Sequence, residues 1–512
     1  MQQERYIGVD IGTTSTKAVM YDKSGELIAQ HDVEYPLYTP EVSAAEQDPE
    51  EIFQAVLKSI RATVEKSGVT KQQIGFVSFS SAMHSVIAVD DRGRSLTNCI
   101  TWADTRSTKW ADQLKATTEG HEIYRRTGTP IHPMSPLTKL IWLKEEQPTL
   151  FKQATKFISM KEFVFHRLFG KFVVDYSIAS ATGMFELEKL AWDAIALETA
   201  GVTEDQLSKP VPTTESLIGI SESYADKMGL TTNTPFIIGA SDGVLSNLGV
   251  DAIEPGAVAV TIGTSGAIRT ASTRPVTDPK GRTFCYALTE DLWIIGGPVN
   301  NGGMTFRWVR DELCSSEVES AKRLGVDPYE VLTDIASRVN PGSDGLLFNP
   351  YLSGERAPLW NAKARGSFFG LALHHRKEHL IRAVLEGVIF NLHSVMLTLK
   401  ELIGMPNRIQ ATGGFARSEL WRQMLADVFD QEVYVPESHE SSCLGAVILG
   451  LYAQGEIDSL QQVSTMVGSE HHHTPNPNNV QLYNELMPIF IRISRKLEEE
   501  YEAITEYQKK HV

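Results

Sequence analysis

Two short turns built from glycine and hydroxyl residues carry the first chemical signal in this sequence. Residues 8–20 read GVDIGTTSTKAVM. An apolar run (Tyr6, Ile7, Val9, Ile11) bears one acid, Asp10, and empties into Gly12-Thr13-Thr14-Ser15-Thr16-Lys17 before apolar character resumes. Glycine lets backbone approach a bulky anion, hydroxyls and free N–H groups bind phosphate oxygens, and a carboxylate beside a lysine can hold hydrated Mg²⁺. Gly-Thr-Thr is also an ordinary hairpin turn, so the stretch taken alone serves both readings. Residues 257–269, AVAVTIGTSGAIR, repeat it, setting Ile262-Gly263-Thr264-Ser265 against Ile11-Gly12-Thr13-Thr14. Two such turns facing one another would grip a polyphosphate from both sides.

Asp242 is the next acid that needs an explanation. It follows an apolar strand, Phe236-Ile237-Ile238-Gly239, through Ala240-Ser241, where a carboxylate must be justified by a partner or a function, and Gly243 leaves room for a substrate hydroxyl. The competing role is structural, since Ser241 or Asp242 could cap a helix over 243–249. A third stretch, Ala411-Thr412-Gly413-Gly414-Phe415-Ala416-Arg417-Ser418, offers flat backbone for an adenine or ribose and a helix N-terminus for charge. A Gly-Gly loop with no ligand is equally common in α/β proteins. Met83-His84 after one strand and Thr101-Trp102-Ala103-Asp104-Thr105-Arg106 after another mix apolar covers with hydroxyl-bonding groups, as a polyol pocket requires, although Trp102 could as easily be core. His471-His472-His473, running into Thr-Pro-Asn-Pro-Asn-Asn, reads as a polar surface loop in preference to a metal site.

The elements that must position these residues follow from pattern. The opening hairpin and a strand over 27–35 precede a helix announced by Asp48 as N-cap, Pro49 at the first helical position and Glu51 as capping-box partner, with Ile52, Val56, Ile60 and Val64 on its buried side. A strand over 74–79, a helix over 155–169 and the strand ending at Gly239 follow. After a linker over 251–256 the order restarts: strands over 257–269, 283–288 and 292–296, then helices over 303–313 and 377–402. A strand over 408–412, a helix over 417–429, a strand over 432–435 and an apolar helix over 443–452 close it. The same turn opening two similar element orders indicates a duplicated domain, divided as 1–247 and 248–512. A single amphipathic helix is expected over 484–510, its charged cluster at 496–500 solvated; it permits a homodimer without requiring one.

Composition bounds the partners. The chain has 512 residues, too long for one core, with 42% hydrophobic and 22% charged residues. Its 48 basic against 64 acidic side chains give a net charge of −16, which argues against wrapping nucleic acid or an anionic membrane. Cys99, Cys285, Cys314 and Cys443 are scattered with no Cys-x-x-Cys pair, as in reduced thiols. With no apolar run approaching a membrane span and no apolar leader, the protein is expected to be soluble and cytoplasmic.

Two longer motifs resemble a known family. Met134-Ser135-Pro136-Leu137-Thr138-Lys139-Leu140-Ile141-Trp142-Leu143 is similar to the first signature of the FGGY carbohydrate kinases. Gly366-Ser367-Phe368-Phe369-Gly370-Leu371, continuing through His379-Leu380-Ile381-Arg382-Ala383-Val384-Leu385-Glu386-Gly387, is similar to the second. With the two turns, the resemblance spans residues 6–452. It implies an α/β fold of two duplicated ribonuclease H-like (actin-like ATPase) domains with an interdomain cleft, and ATP-dependent phosphorylation of a sugar hydroxyl with Asp242 as general base. It also implies a first phosphate site at Asp10, Gly12, Thr13, Thr14, Ser15 and Lys17, and a second at Gly263 and Thr264. Nucleotide contacts at Gly303 and Arg307, an adenosine site at Gly414 and Ser418, and Mg²⁺ at Asp10 and Asp242 follow from it too. Met83, His84, Trp102 and Asp104 fall where the family builds its sugar pocket, to which Arg106, His132 and Met134 are added here. One departure is Gly243, where many members carry Gln or Asn. Within the family, stretches such as SSAMHSVIAVD and NCITWADTRS are most similar to members acting on a sugar acid. A substrate carboxylate would suit His84, Arg106, Arg125, Arg126, His132 and Lys139. The alternatives are a family member acting on xylulose, ribulose, glycerol or a deoxy-ketose, or a noncatalytic actin-like nucleotide switch.

Overall fold

The computed structural model describes residues 4–437 and 440–511. The chain packs as two compact units, Met1–Glu254 with Ala271–Ile295 and Glu440–Gly468, and Pro255–Thr270 with Gly296–His439 and Ser469–Val512. This grouping by contact threads the chain between the units, where the sequence suggested a single cut between 247 and 248. The physical reason is the apolar helix Ser441–Ala453, which returns to the first unit and buries Leu444, Val447, Ile448 and Leu451 beside Tyr6, Val19, Phe76 and Leu245.

The first unit is built on a six-stranded sheet in the order Ser216–Leu217, Phe236–Ser241, Ile74–Ser81, Arg5–Ile11, Ser15–Tyr21, Leu27–Glu34. Arg5–Ile11 pairs antiparallel with Ser15–Tyr21 and parallel with Ile74–Ser81, which is in turn parallel to Phe236–Ser241. Strands covered on both faces lose the polar alternation of a half-exposed strand. Alternate residues of Arg5–Ile11 accordingly enter different cores, Ile7, Val9 and Ile11 beside the helix Pro49–Ser67 and Tyr6 beside the helix Ser441–Ala453. The Pro49–Ser67 helix starts as its sequence predicts: Asp48 accepts the N–H groups of Glu50 and Glu51 at 2.8 and 3.4 Å. The Glu51 carboxylate, however, accepts from the Tyr38 hydroxyl at 3.0 Å instead of closing a capping box.

The second unit repeats the plan. The strands Ala257–Ile262 and Gly266–Ser272 form an antiparallel hairpin, and Ala257–Ile262 runs parallel to Arg408–Thr412, itself parallel to Val433–Pro436. The turns of the two hairpins differ by one residue. Ile11 pairs with Thr16 across the first, and Ile262 with Gly266 across the second. The cross-strand pair Asp10 and Lys17 has Thr261 and Ala267 as its counterpart, and the second turn carries neither acid nor lysine.

Several sequence expectations are corrected. Residues 155–169 are not one helix: Lys156–Ile158 is a strand paired with Ile87–Val89, and Ser159 then caps the helix Met160–Phe169 with Glu162 completing the capping box. The C-terminal segment forms two helices, Pro477–Lys496 and Glu498–His511, interrupted at Leu497. His471-His472-His473 lies in an edge strand, Ser469–His473, where the His472 ring stacks on Tyr434 and His473 Nε2 accepts from Arg422 at 2.8 Å. One helix, Lys377–Ile403, is long and apolar enough to cross a membrane, contrary to expectation, but most of it is buried as the core of its unit. The four cysteines are free and buried.

A β-bulge interrupts the strand that leads to Asp242. Ile237 stands opposite Ser78 and Ala240 opposite Ser80, so Ile238 and Gly239 together face Phe79. Gly239 has φ +69°, and a Cβ there would lie 1.7 Å from the Phe79 carbonyl oxygen. Neither the left-handed conformation nor that contact tolerates a side chain. Gly239→Ala should therefore cost more than about 2 kcal/mol of stability, measured by urea denaturation.

Candidate active site

The C-terminal ends of three adjacent parallel strands bring the first unit's candidate groups together. Asp10, Ser80 and Ala240 share one row of the sheet, and Asp242 follows two residues after Ala240. Ligands bind outside these ends in open α/β sheets. Asp10 Oδ1 accepts from Ser80 Oγ at 2.8 Å and Oδ2 from Ser442 Oγ at 3.0 Å. Burial pushes its carboxyl pKa up, and the two hydroxyls oppose the shift. Asp242 opens the helix Asp242–Leu248, and its Oδ1 accepts the Gly243 N–H at 2.6 Å. The capping role open to Ser241 is not taken up by its side chain, whose hydroxyl bonds Ser177 Oγ at 3.0 Å.

The first turn is held rigidly. Gly12 N–H donates to Ser15 O at 3.0 Å, Tyr35 Oη donates to Gly12 O at 2.6 Å, and Thr14 stands exposed at the tip. Thr13 Oγ1 accepts from Trp102 Nε1 at 2.9 Å, joining the candidate phosphate turn to a candidate sugar contact. Lys17 is engaged differently from the expected phosphate clamp, for its Nζ reaches both Glu440 oxygens at 2.8 and 2.9 Å. Burial disfavours its charge, but the Glu440 carboxylate outweighs this and raises its pKa.

The expected sugar contacts divide into two groups. Asp104 and Arg106 are spent on structure: Asp104 Oδ2 accepts the Ala45 N–H at 3.0 Å, and Arg106 bridges Asp104 and Glu46 at 2.7 and 2.6 Å with its guanidinium 4.4 Å from the Trp142 ring centroid. A buried acid that already has an arginine and a backbone donor is a framework group. Arg126 is likewise paired, with Asp193 and Glu186. His84, by contrast, is held in a left-handed conformation at φ 69°, with Nδ1 2.8 Å from Ala181 O. Lys139 fixes it from behind, donating to His84 O and Met134 O, both at 2.7 Å. Met134 is buried, and His132 Nδ1 accepts the Met134 N–H at 3.2 Å. Lys139 thus organises the backbone that carries Met83, His84, His132 and Met134, and is too buried to meet a substrate carboxylate itself.

In the second unit, Gly263, Thr264, Gly303, Arg307, Gly414 and Ser418 all line one cavity of about 620 Å³, within the range of small-molecule sites. The turn and the helix Gly303–Trp308 are joined by hydrogen bonds from Gly303 N–H to Gly263 O (2.7 Å) and Met304 N–H to Thr264 O (3.0 Å). Ser418 caps the helix Glu419–Phe429 through the Trp421 N–H. The opposite wall escaped sequence reasoning. It is the helix Pro328–Ser337, capped by Asp327 and presenting Tyr329, Glu330, Thr333 and Asp334, with the Tyr329 and Phe306 rings 5.2 Å apart. An Asp-Pro pair signals that helix, but nothing in the sequence places it beside Gly414. Among the described residues no cluster of three or more His, Cys, Asp or Glu side chains could hold a metal. The donor set at Asp10 suits Mg²⁺ bound through water and substrate phosphates, which needs only one or two carboxylates.

Two neighbouring glycines, of which Gly414 lines the cavity, play opposite parts. Gly413 has φ +101°, and a Cβ would lie 2.4 Å from Ile262 O, whereas a Cβ on Gly414 would meet nothing within 4 Å. Gly413→Ala should lower the second unit's stability by more than about 2 kcal/mol. Gly414→Leu should leave the melting temperature unchanged and weaken ATP binding by about tenfold or more, read by calorimetric titration. Lys139 makes a pH prediction. Burial pushes its pKa down to about 7 against the attraction of Asp104, well below the unfolded value near 10.4. Between these values the unfolded chain binds the extra proton, so stability gains a rising contribution from about pH 7 to 10. The difference in unfolding free energy between wild type and Lys139→Met should change across that window and be flat below it.

Comparison with known proteins agrees with this geometry. Residues 5–249 match the N-terminal domain, and residues 258–454 the C-terminal domain, of the FGGY family of carbohydrate kinases. The chain is 60% identical over 504 residues to a gluconokinase of Bacillus subtilis (strain 168), covering 98% of each protein. Crystal structures of a gluconate kinase and of a ligand-bound xylulose kinase, both from Lactobacillus acidophilus, each superpose with a TM-score of 0.93 at 38% identity, over 98% of this chain and 100% of theirs. With both domain models matched in order and the candidate site at the strand ends, this chain belongs to the FGGY family of carbohydrate kinases.

Proposed function

We propose that the chain transfers the γ-phosphoryl group of ATP to the terminal hydroxyl of D-gluconate, giving 6-phospho-D-gluconate and ADP. The observation that carries the choice of substrate is the 60% identity, along nearly the whole length, to the Bacillus subtilis gluconokinase. A second substrate, xylulose, is favoured by the 38% identity to the ligand-bound xylulose kinase structure. The greater identity to the gluconokinase decides between them.

In this proposal Asp242 accepts the proton of the attacking hydroxyl as its oxygen meets the γ-phosphorus in line. Such transfers rest mainly on positioning and on offsetting charge at the phosphoryl oxygens. The exposed Thr14 tip and the rigid Gly12–Ser15 turn supply donors in the first unit. The cavity walled by Gly414, Tyr329 and Arg307 takes the nucleoside. When bound, Mg²⁺ would offset charge on the phosphates, and Asp10 and Asp242 are the residues that would hold it. The His84 and Met134 segments, fixed by Lys139, take the sugar acid.

Asp242→Asn should lower kcat by about 10²- to 10⁴-fold while leaving ATP affinity nearly unchanged. An ADP-release assay across gluconate, xylulose, ribulose, glycerol, fuculose and rhamnulose tests the substrate. Gluconate should give the highest kcat/KM, and a preference for xylulose would replace it with the second reading. No sugar-stimulated ADP release from the folded protein would remove both.

A further inference from the structure

We propose that Lys161, Asp175 and Ser177 are positioning residues for phosphoryl transfer, acting as one buried anchor for the strand end that presents Asp242. The inference rests on the reading of Asp242 as general base. Where Ile238 and Gly239 both face Phe79, the regular ladder that fixes a strand is interrupted, two residues before Ser241 delivers the chain to Asp242. A bulge can re-aim a side chain, but the ladder hydrogen bonds it disrupts must be made good if the new direction is to be held.

At the bulge itself the N–H groups of Ile238 and Gly239 donate to Glu215 O and Thr213 O at 3.0 and 3.1 Å; beyond it, side chains from outside the sheet hold the strand end. Lys161, on the helix Met160–Phe169, donates from Nζ to Ala240 O at 3.0 Å. Ser177 Oγ accepts the Ser241 N–H at 3.1 Å and bonds Ser241 Oγ at 3.0 Å. The carbonyl of one residue and the N–H and hydroxyl of the next are thereby held from two directions. The two anchors are one assembly, because Lys161 Nζ lies 2.7 Å from Asp175 Oδ2 while Asp175 Oδ1 accepts the Ile178 N–H at 2.9 Å, starting the short helix Tyr176–Ser180 that carries Ser177.

All four groups are buried: Lys161 and Ser241 are at most 1% exposed, and Asp175 and Ser177 are 0% exposed. Desolvating an ion pair to that degree costs free energy that an apolar pair of similar volume avoids, so stability is a poor reason for its presence. A fixed direction for the next carboxylate is a sufficient one. A displacement of about 1 Å at a reacting group can cost on the order of 10²-fold in rate, which sets the scale of the effect.

The test compares Ser177→Ala, the charge-neutral double variant Lys161→Met/Asp175→Leu, Asp242→Asn, and Ser177→Ala combined with Asp242→Asn. Each is assayed for kcat, for KM with gluconate and ATP, and for ATP dissociation by calorimetry. Ser177→Ala should lower kcat about 10- to 100-fold with the ATP dissociation constant and KM for ATP changed less than about twofold. The same substitution in the Asp242→Asn protein should cost less than about a further twofold, since a group acting through Asp242 has nothing left to position. Wild-type kcat in Ser177→Ala, or its full cost persisting without the Asp242 carboxylate, would overturn the inference. Should the double variant fail to fold, Ser177→Ala alone decides. Wild-type turnover by Asp242→Asn is a different outcome; it would remove the base assignment, and this inference with it.

Discussion

The close approach of Gly239 to the Phe79 carbonyl is the constraint on which the first unit's chemistry depends. Only a residue without a side chain can sit there, and by doing so it lets two residues of one strand face one of the next. The strand then ends with Ala240 level with Ser80, the same row that holds Asp10. Two acids far apart in sequence thus emerge at the same end of the sheet. Burial raises the pKa of Asp10, and its two hydroxyl partners keep an anion affordable in that place.

The duplicated plan divides labour unevenly. Both units open on a hairpin and a parallel neighbour, but Thr261 and Ala267 stand in the second where Asp10 and Lys17 stand in the first. The first unit keeps charged groups at its strand ends. The second builds an aromatic-walled cavity from Phe306, Tyr329 and Trp421 around its turn. A carbohydrate kinase needs both kinds of site, a polar one for proton transfer and phosphate and a mainly apolar one for a base.

What the sequence made legible was local. The two turns, the Asp48 cap and the strand Arg408–Thr412 are short local patterns, and each stands where it was expected. The choice of partners for charged groups was not legible. Lys17 looked available for phosphate, yet Glu440 engages it from 423 residues away, and Ser442 reaches Asp10 from 432. Asp104 and Arg106 looked like sugar contacts because their types suit hydroxyls, but they neutralise one another within a turn. The same limit applies to the helix over 155–169, where Ser159 as cap overrode a continuous apolar pattern, and to the helix Pro328–Ser337, whose role appears only once folding sets it beside Gly414. Residue type announces what chemistry is possible; long-range packing decides which residues are free to perform it.

The central claim is that this chain joins a phosphoryl group to the terminal oxygen of a sugar acid. Phosphorus-31 and carbon-13 NMR of the product formed from ATP and D-gluconate examine it most directly. A single phosphate monoester whose C6 carbon is split by phosphorus, formed in step with ADP, is expected. An ester at another carbon, or inorganic phosphate with no ester at all, would contradict it.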